Sequence, residues 1–236
     1  MTLVNSVRLW AAIPAAGTGS RFGAATAKQY LSLGDKSVIE HSMSKLLGRE
    51  DIAALVVALH PEDSHFSSLP IANNPRVRPV VGGAERSDSV ELALNALAGE
   101  AADTDWVLVH DAARPCVSQQ DIHTLLERGC AHAVGAILAS PVVDTVKRSN
   151  AEGEIVETVD RNNMWRALTP QLFRYGQLRD ALAYCREKHL SVTDEASALE
   201  HCGQRPLLVA ASHRNIKITY PDDLAIAAVF LEGEQQ

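Results

Sequence analysis

The sequence lacks any hydrophobic run long enough to cross a membrane, although 46% of its 236 residues are hydrophobic. A membrane-spanning helix needs about 20 consecutive apolar residues. The first ten residues, MTLVNSVRLW, also lack the basic head and apolar stretch of a secretory signal. We therefore expect a cytoplasmic protein that has no membrane partner and is long enough to bury a sizeable core.

Cysteine is scarce and scattered, which disfavours a zinc site or a disulfide framework. The four cysteines are Cys116, Cys130, Cys185 and Cys202, and no two of them form a C-x-x-C pair. We interpret them as reduced thiols of a cytosolic protein. The nine histidines likewise show no spacing typical of a metal site.

Excess positive charge is absent as well, since the formal net charge is −7. A general nucleic-acid surface is normally basic, so we predict no nucleic-acid partner. If the ligand is nevertheless an anion, the cations that bind it must be concentrated at one place.

The apolar pattern predicts an α/β fold. Short, nearly continuous apolar runs predict strands at 7–13, 52–59, 77–81, 106–109, 133–139 and 207–211. Between them, apolar residues recur at helical spacing within 90–97 and 122–126. Strands that are apolar throughout, with helices between them, predict a mostly parallel sheet covered by helices on both faces. Ligands in such sheets lie beyond the carboxyl ends of the strands.

One segment, residues 140–161, interrupts this alternation. Two β-prone pieces, VVDTVKR and EIVETVD, flank the turn-rich SNAEG, which predicts a β-hairpin. Its charges do not suit a buried sheet, so we expect a projecting arm directed towards a partner subunit. An ordinary surface hairpin is the alternative. No linker or repeat divides the chain, so residues 1–236 are predicted to form one domain that carries this insert.

The stretch IPAAGTGSRFGAATAKQYL follows the first predicted strand. Its glycines, Gly17 and Gly19, let the backbone approach an anion closely. The third glycine of a dinucleotide fingerprint is replaced by Phe22, and the P-loop pattern is absent. Arg21 and Lys28 suit phosphoryl or nucleotidyl transfer, in which negative charge develops on phosphate oxygens. A plain strand-to-helix turn with two surface cations is the alternative.

Further motifs follow the later strands. GGAERSDSV at 82–90 combines a close-approach glycine pair with a helix start, where Ser87 could be a simple N-cap. VLVHDAARP at 107–115 places Asp111 where it could touch a polyphosphate or a substrate hydroxyl, or merely cap the loop. TDEASALE indicates a helix start capped by Thr193, and Lys217 in NIKIT alternates like a residue of a half-buried strand.

Together these motifs resemble the 2-C-methyl-D-erythritol 4-phosphate cytidylyltransferase family of the non-mevalonate isoprenoid pathway. The matching pieces are PAAGxGxR at 14–21, KQYL at 28–31, GGxERxDSV at 82–90, VHDAARP at 109–115, DTVK at 144–147, TVDR at 158–161, LTPQ at 168–171, TDEASALE at 193–200 and NIK at 215–217. The resemblance covers about residues 8 to 230.

The resemblance implies a Rossmann-like nucleotidyltransferase that uses CTP and Mg²⁺ and releases pyrophosphate. It implies catalytic roles for Arg21 and Lys28. The implied nucleotide-binding residues are Pro14, Ala15, Ala16, Gly17, Gly19, Gly82, Gly83 and Ser89. The implied substrate-binding residues are Asp111, Arg114, Thr145, Arg161, Thr169, Thr193 and Lys217.

The resemblance also implies a homodimer in which Thr145 and Arg161 of the arm complete the neighbour's site. Mg²⁺ would be held mainly by the CTP phosphates, with Asp111 as a candidate neighbour. Two positions depart from the family pattern: Ala27 stands where a proline is common, and Ala84 where an aspartate is common. With Ala84, recognition of the base must rest on backbone groups and Ser89.

Three alternative functions make different predictions for these residues. A related nucleotidyltransferase for another alcohol phosphate, such as ribitol phosphate, would keep Arg21 and Lys28 but change the acceptor residues. A silent nucleotide-binding module would lack these cations, which are present. A dehydrogenase is disfavoured because the second predicted strand is followed by His60 instead of an acid.

Overall fold

The computed structural model describes residues 7–17 and 27–233 of the chain. The strands of these residues are β1 (Leu9–Ala15), β2 (Ser32–Leu33), β3 (Lys36–Ser37), β4 (Ile52–Leu59), β5 (Val77–Val81), β6 (Trp106–Val109), β7 (Gly135–Pro141), β8 (Val146–Ser149), β9 (Ile155–Val159), β10 (Trp165–Arg174) and β11 (Leu207–Ala210). Their helices are α1 (Val38–Leu47), α2 (Arg86–Asn95), α3 (Gln119–Cys130), α4 (Tyr175–Glu187), α5 (Glu195–His201) and α6 (Pro221–Glu232).

A seven-stranded sheet organises the fold, in the order β11-β7-β10-β6-β1-β4-β5. The pairs β1–β4, β1–β6, β4–β5 and β7–β11 are parallel, whereas β10 runs antiparallel to both of its neighbours, β6 and β7. The predicted mostly parallel α/β sheet is therefore confirmed, and each of the six predicted strands is present within about two residues of its predicted bounds.

Helices cover both faces of the sheet, as predicted. Along β1, Ala11 and Ile13 pack into one buried cluster with residues of α1 and α3, whereas Trp10 and Ala12 pack into a second cluster with residues of α2, α4 and α5. This alternation follows from the two-residue period of a strand, since both faces of a central strand are buried. None of the helices in the described parts of the chain is long and apolar enough to cross a membrane.

Strand β10 was missed in the sequence analysis. Its sequence, WRALTPQLFR, contains Pro170, and proline disfavours the interior of a sheet because it cannot donate to the ladder. The strand accommodates this proline with a register shift against β7 between Ala167 and Gln171. The inner part of the strand is fully buried, so tertiary packing outweighs the local signal.

The hairpin predicted at 140–161 is formed by β8 and β9, which pair antiparallel. Its first two residues, Ser140 and Pro141, belong instead to the end of β7. The hairpin exposes aliphatic side chains, with Ile155 67% and Val156 62% exposed. Its proposed role in dimerisation stays a prediction.

A third, smaller apolar cluster holds α6 against the rest of the molecule. It contains Ile218, Ala227 and Cys116. Residues 215–219, which lead into α6, form no strand, so the interpretation of Lys217 as a strand residue was wrong. The cluster instead anchors Ile218 and thereby carries Lys217 to the carboxyl edge of the sheet.

Candidate active site

A cavity of about 650 Å³ opens at the carboxyl ends of β1, β5 and β6. This is the edge of the sheet at which ligands of parallel α/β folds bind. The predicted site residues that line it are Pro14, Ala15, Ala16, Gly17, Lys28, Gly82, Gly83, Ser89, Asp111 and Lys217. Two others, Gly19 and Arg21, lie outside the described residues. The fold therefore brings together residues up to about 200 positions apart in the chain.

Gln29 fixes the position of the loop after β1 at the edge of the cavity. Its side-chain amide donates to the carbonyl oxygens of Ala15 at 3.0 Å and Gly17 at 3.3 Å. Lys28, in the same short 3-10 helix, donates from Nζ to the carbonyl of Ile218 at 2.9 Å. Gln29 had no assigned role in the sequence analysis, although it is part of the KQYL motif that was singled out.

The glycine pair after β5 lies directly against the loop after β1. A Cβ on Gly82 would stand 2.6 Å from the Cβ of Ala16, and one on Gly83 would stand 2.2 Å from the Cβ of Asp88. The backbone N–H of Gly83 donates to the buried hydroxyl of Ser89 at 3.1 Å. Close packing thus requires both glycines. Ser89, which was predicted to bind the nucleotide together with this loop, holds the loop in place.

The helix after this loop starts differently from the simplest sequence interpretation. Residue Glu85 is the N-cap of α2, so Ser87 lies within the first turn and is not the cap. Similarly, Asp194 caps α5 by accepting from the N–H of Ser197 at 2.9 Å, and the predicted cap Thr193 precedes it.

Asp111 lies in the wall of the cavity among three cations. Its Oδ1 accepts from Arg86 Nε at 2.9 Å, and its Oδ2 is 2.8 Å from Lys217 Nζ and 3.5 Å from Arg114 Nε. Burial alone would raise the pKa of Asp111, but Arg86, Lys217 and Arg114 together outweigh it and hold the pKa well below its usual value. Asp111 is therefore a carboxylate that can only accept hydrogen bonds, and it is not a loop cap.

Arg86 also binds Glu195, and neither residue had been assigned a role. The guanidinium donates from Nη1 and Nη2 to the two oxygens of Glu195, at 2.6 and 3.0 Å. Both residues stand inside quoted motifs, GGAERSDSV and TDEASALE, but their pairing spans 109 positions and has no local signal.

Thr169 supports Asp111 from behind the cavity wall. Its buried hydroxyl accepts from the N–H of Asp111 at 3.0 Å and lies 3.0 Å from Nδ1 of His110. The other ring nitrogen of His110 is 3.0 Å from the carbonyl of Arg114. A neutral imidazole protonated at Nε2 satisfies both contacts, since it donates to the carbonyl and accepts from the hydroxyl. The predicted substrate contact of Thr169 stays a prediction.

Arg114 and Thr193 likewise do not line the cavity. Arg114 is buried, and its Nη1 donates to the carbonyl of Asn215 at 2.9 Å, which ties the loop after β6 to the segment that carries Lys217. Thr193 is exposed and precedes α5. Their predicted contacts with a substrate are not tested by this arrangement.

The family model for IspD, 2-C-methyl-D-erythritol 4-phosphate cytidylyltransferase, matches residues 9–233 of the chain. The chain belongs to this family.

Individual relatives agree over nearly the whole length. The chain is 50% identical over 225 residues to 2-C-methyl-D-erythritol 4-phosphate cytidylyltransferase of Tolumonas auensis, covering 95% of this chain and 97% of the relative. It is 51% identical over 230 residues to the protein of the same name from Shewanella frigidimarina, covering 98% and 99%. The crystal structure of the Francisella tularensis protein of that name superimposes with a TM-score of 0.84 at 37% identity and covers 94% and 99% of the two chains.

In this member of the cytidylyltransferase family, the arm residues Thr145 and Arg161 lie outside the cavity. Both are exposed, and Arg161 Nη1 donates to the carbonyl of Val143 at 2.5 Å. A role in substrate binding would therefore have to be exerted in another subunit.

The described residues of this cytidylyltransferase family member contain no cluster of three or more His, Cys, Asp or Glu side chains that could hold a metal ion. Both oxygens of Asp111 are taken by cationic side chains, which disfavours this carboxylate as a metal ligand. Mg²⁺ commonly binds through substrate phosphates with few protein ligands, so the site fits a metal that is carried mainly by a triphosphate.

Proposed function

We propose that this nucleotidyltransferase carries out the reaction of its family in the cavity at the carboxyl ends of β1, β5 and β6. CTP and 2-C-methyl-D-erythritol 4-phosphate give 4-diphosphocytidyl-2-C-methyl-D-erythritol and pyrophosphate, in isoprenoid precursor synthesis. The observation that carries the proposal is that two glycine loops and the cationic side chains of Lys28, Arg86 and Lys217 line one cavity.

The nucleotide occupies the side of the cavity formed by the two glycine loops. Gly82 and Gly83 line this side, where their lack of a Cβ lets the loop pack against Ala16 and Asp88, and Ser89 holds the loop in place. The backbone of residues 14–17 lines the side assigned to the ribose and the phosphates, and the role of Gly19 rests on the sequence motif alone. Because Ala84 has no polar side chain, the base is recognised through backbone groups and Ser89.

The chemical step is an in-line displacement. The phosphate oxygen of methylerythritol phosphate attacks the α-phosphorus of CTP, a new P–O bond forms, and the bond to pyrophosphate breaks. The nucleophile is already an anion, so no covalent enzyme intermediate is needed. Lys28 and Arg21 stabilise the charge that develops on the α-phosphate oxygens. The role of Arg21 rests on the sequence motif, since this residue lies outside the described part of the chain.

The acceptor occupies the side of the cavity that contains Asp111 and Lys217. Asp111 is ionised and can accept from an acceptor hydroxyl, and Lys217 can pair with the acceptor phosphate. Arg114, Thr169 and Thr193 complete this side, the first two through the buried contacts that fix the position of Asp111.

Mg²⁺ is proposed as the metal of this reaction. Bound to the CTP phosphates, it supplies neutralisation of their charge. Lys28 and Arg21 supply the rest of the positive charge at the triphosphate. Asp111 is assigned to the acceptor and not to the metal, since each of its oxygens faces a cationic side chain but can still accept a hydrogen bond from an acceptor hydroxyl.

A cytoplasmic homodimer is the proposed assembly. The arm formed by β8 and β9 exposes Ile155 and Val156, which fits burial against a second copy of the chain. In that arrangement Thr145 and Arg161 reach the acceptor side of the neighbour's cavity. The cytoplasmic location is supported by the four free cysteines, which fit a reducing compartment.

Lys28→Ala tests the assignment of the chemical step. We expect turnover to fall roughly a hundred- to a thousandfold, as when one donor to a developing oxyanion is removed. The matched control is Lys36→Ala, an exposed lysine on the neighbouring strand β3, which should leave turnover unchanged. Mg²⁺-dependent pyrophosphate release measures both variants, with thermal unfolding as the check on folding. Near-normal turnover in a folded Lys28→Ala protein would contradict the assignment.

A further inference from the structure

Glu195 is a fully buried carboxylate that does not line the cavity. It is 0% exposed and stands at the first position of α5. The N-terminus of this helix is already capped by Asp194, so Glu195 is not needed as the cap. Both of its oxygens are bound by one guanidinium, that of Arg86, at 2.6 and 3.0 Å. Such a bidentate pair fixes the plane and direction of the arginine side chain.

Arg86 directs a third donor at Asp111. With Nη1 and Nη2 on Glu195, its Nε points at Oδ1 of Asp111 at 2.9 Å. The other oxygen of Asp111 faces Lys217 at 2.8 Å. The orientation of the Asp111 carboxylate in the cavity wall is therefore set from one side by a guanidinium that Glu195 holds in place.

Stability alone does not explain this arrangement. A buried ion pair contributes little net stability compared with a well-packed apolar pair of the same size. What an apolar pair could not do is direct a third hydrogen bond at Asp111. The pair also ties α5, which does not line the cavity, to two segments that do: Arg86 starts α2 after the glycine pair, Asp111 follows β6, and Glu195 starts α5.

We propose that Glu195 and Arg86 are positioning residues that aim the Asp111 carboxylate at the acceptor. Because it concerns the acceptor side of the cavity, this role rests on the proposed function. Arg86 itself lines the cavity beside Asp111 and acts on the acceptor by directing that carboxylate, and Glu195, which does not line the cavity, acts through Arg86. Loss of Glu195 lets the guanidinium turn, removes its directed contact with Asp111 and leaves three cations around a single carboxylate.

Glu195→Gln is the direct test. It keeps the shape of the side chain but removes its charge and replaces one of the two oxygens that accept from Arg86. We expect the KM of methylerythritol phosphate to rise about ten- to a hundredfold, as for a lost charged hydrogen bond, with the KM of CTP within about twofold of wild type. Glu195→Asp, which keeps the charge, should recover part of this loss. The matched control is Glu200→Gln, an exposed glutamate of the same helix.

A double variant, Arg86→Met with Glu195→Met, separates positioning from stability. It replaces the buried pair with apolar side chains and so decides the question if Glu195→Gln fails to fold. We expect a folded protein whose acceptor KM is still raised. Wild-type acceptor KM in this variant or in Glu195→Gln would overturn the proposal, as would an equal rise in the KM of both substrates. Absence of pyrophosphate release by the wild type would instead overturn the proposed function, and this inference with it.

Discussion

The buried imidazole of His110 should make the free energy of unfolding depend on pH between about 7.5 and 5. His110 is 0% exposed, between the hydroxyl of Thr169 and the carbonyl of Arg114. Burial lowers its pKa from 6.5 to about 4, against the opposing influence of Asp111 and of the hydrogen bond to the Arg114 carbonyl, and the charges of Arg114 and Arg86 add to the lowering. The folded protein therefore keeps this histidine neutral where the unfolded chain would protonate it.

The sign of the effect follows from proton linkage. Between the folded and the unfolded pKa, the unfolded state binds more protons, so stability falls as the pH falls. The full contribution is present above the unfolded value of about 6.5. The loss amounts to about 2 kcal/mol by pH 5 and to about 3 kcal/mol below pH 4. Asp111, whose pKa is lowered, loses its own contribution only as the pH falls through and below the usual carboxylate range. The window above pH 5 therefore reports on His110.

Urea unfolding at several pH values between about 7.5 and 5 measures this loss. We compare the wild type with His110→Asn, which places a polar group near the position of Nδ1 but does not titrate. The control is His123→Gln, at an exposed position of α3. The wild type and the control should lose about 2 kcal/mol over this range, and His110→Asn much less. The same pH dependence in His110→Asn would refute the reasoning.

Two further predictions concern the nucleotide loop and the arm. Gly83→Ala would place its Cβ 2.2 Å from the Cβ of Asp88, so we expect the loop to shift and the KM of CTP to rise about tenfold. The control is Gly233→Ala, whose Cβ meets only ordinary contacts at 3.7 Å and beyond and which should leave the KM of CTP unchanged. An unchanged KM for CTP in the first variant would show that the loop does not contact the nucleotide. Arg161→Ala should weaken the use of methylerythritol phosphate more than the binding of CTP. Mixed dimers of this variant with Lys28→Ala should regain one competent site in two, and no recovery in verified mixed dimers would rule out shared sites.

Local patterns were sufficient to predict six of the seven strands of the sheet and the loops that follow them. The apolar runs that became β4 and β6 have the length and composition of buried strands. The motifs that follow β5 and β6 line the cavity because parallel strands share one carboxyl edge. The close approach of Gly82 to Ala16 also gives the GGxER motif a physical reason.

Interactions between distant residues could not be predicted in the same way. Strand β10 is specified by burial between β6 and β7, against the local effect of Pro170. Arg86 and Glu195 lie in two different motifs. Each motif is already explained locally as the start of a helix, so nothing in the sequence indicates that the two residues pair. The hydrogen bond from Gln29 to the carbonyl of Ala15 depends on how the chain folds back after β1, and the local sequence does not indicate that contact.

Pyrophosphate release from CTP with Mg²⁺, measured with methylerythritol 4-phosphate and with ribitol 5-phosphate as parallel acceptors, tests the central claim most directly. Lys28→Ala serves as the catalytic control in both reactions. The cavity described here predicts release with methylerythritol 4-phosphate alone, abolished or nearly so in the variant. Release with ribitol 5-phosphate alone would contradict the acceptor assignment of Asp111 and Lys217, and CTP binding without release for either acceptor would contradict catalysis itself.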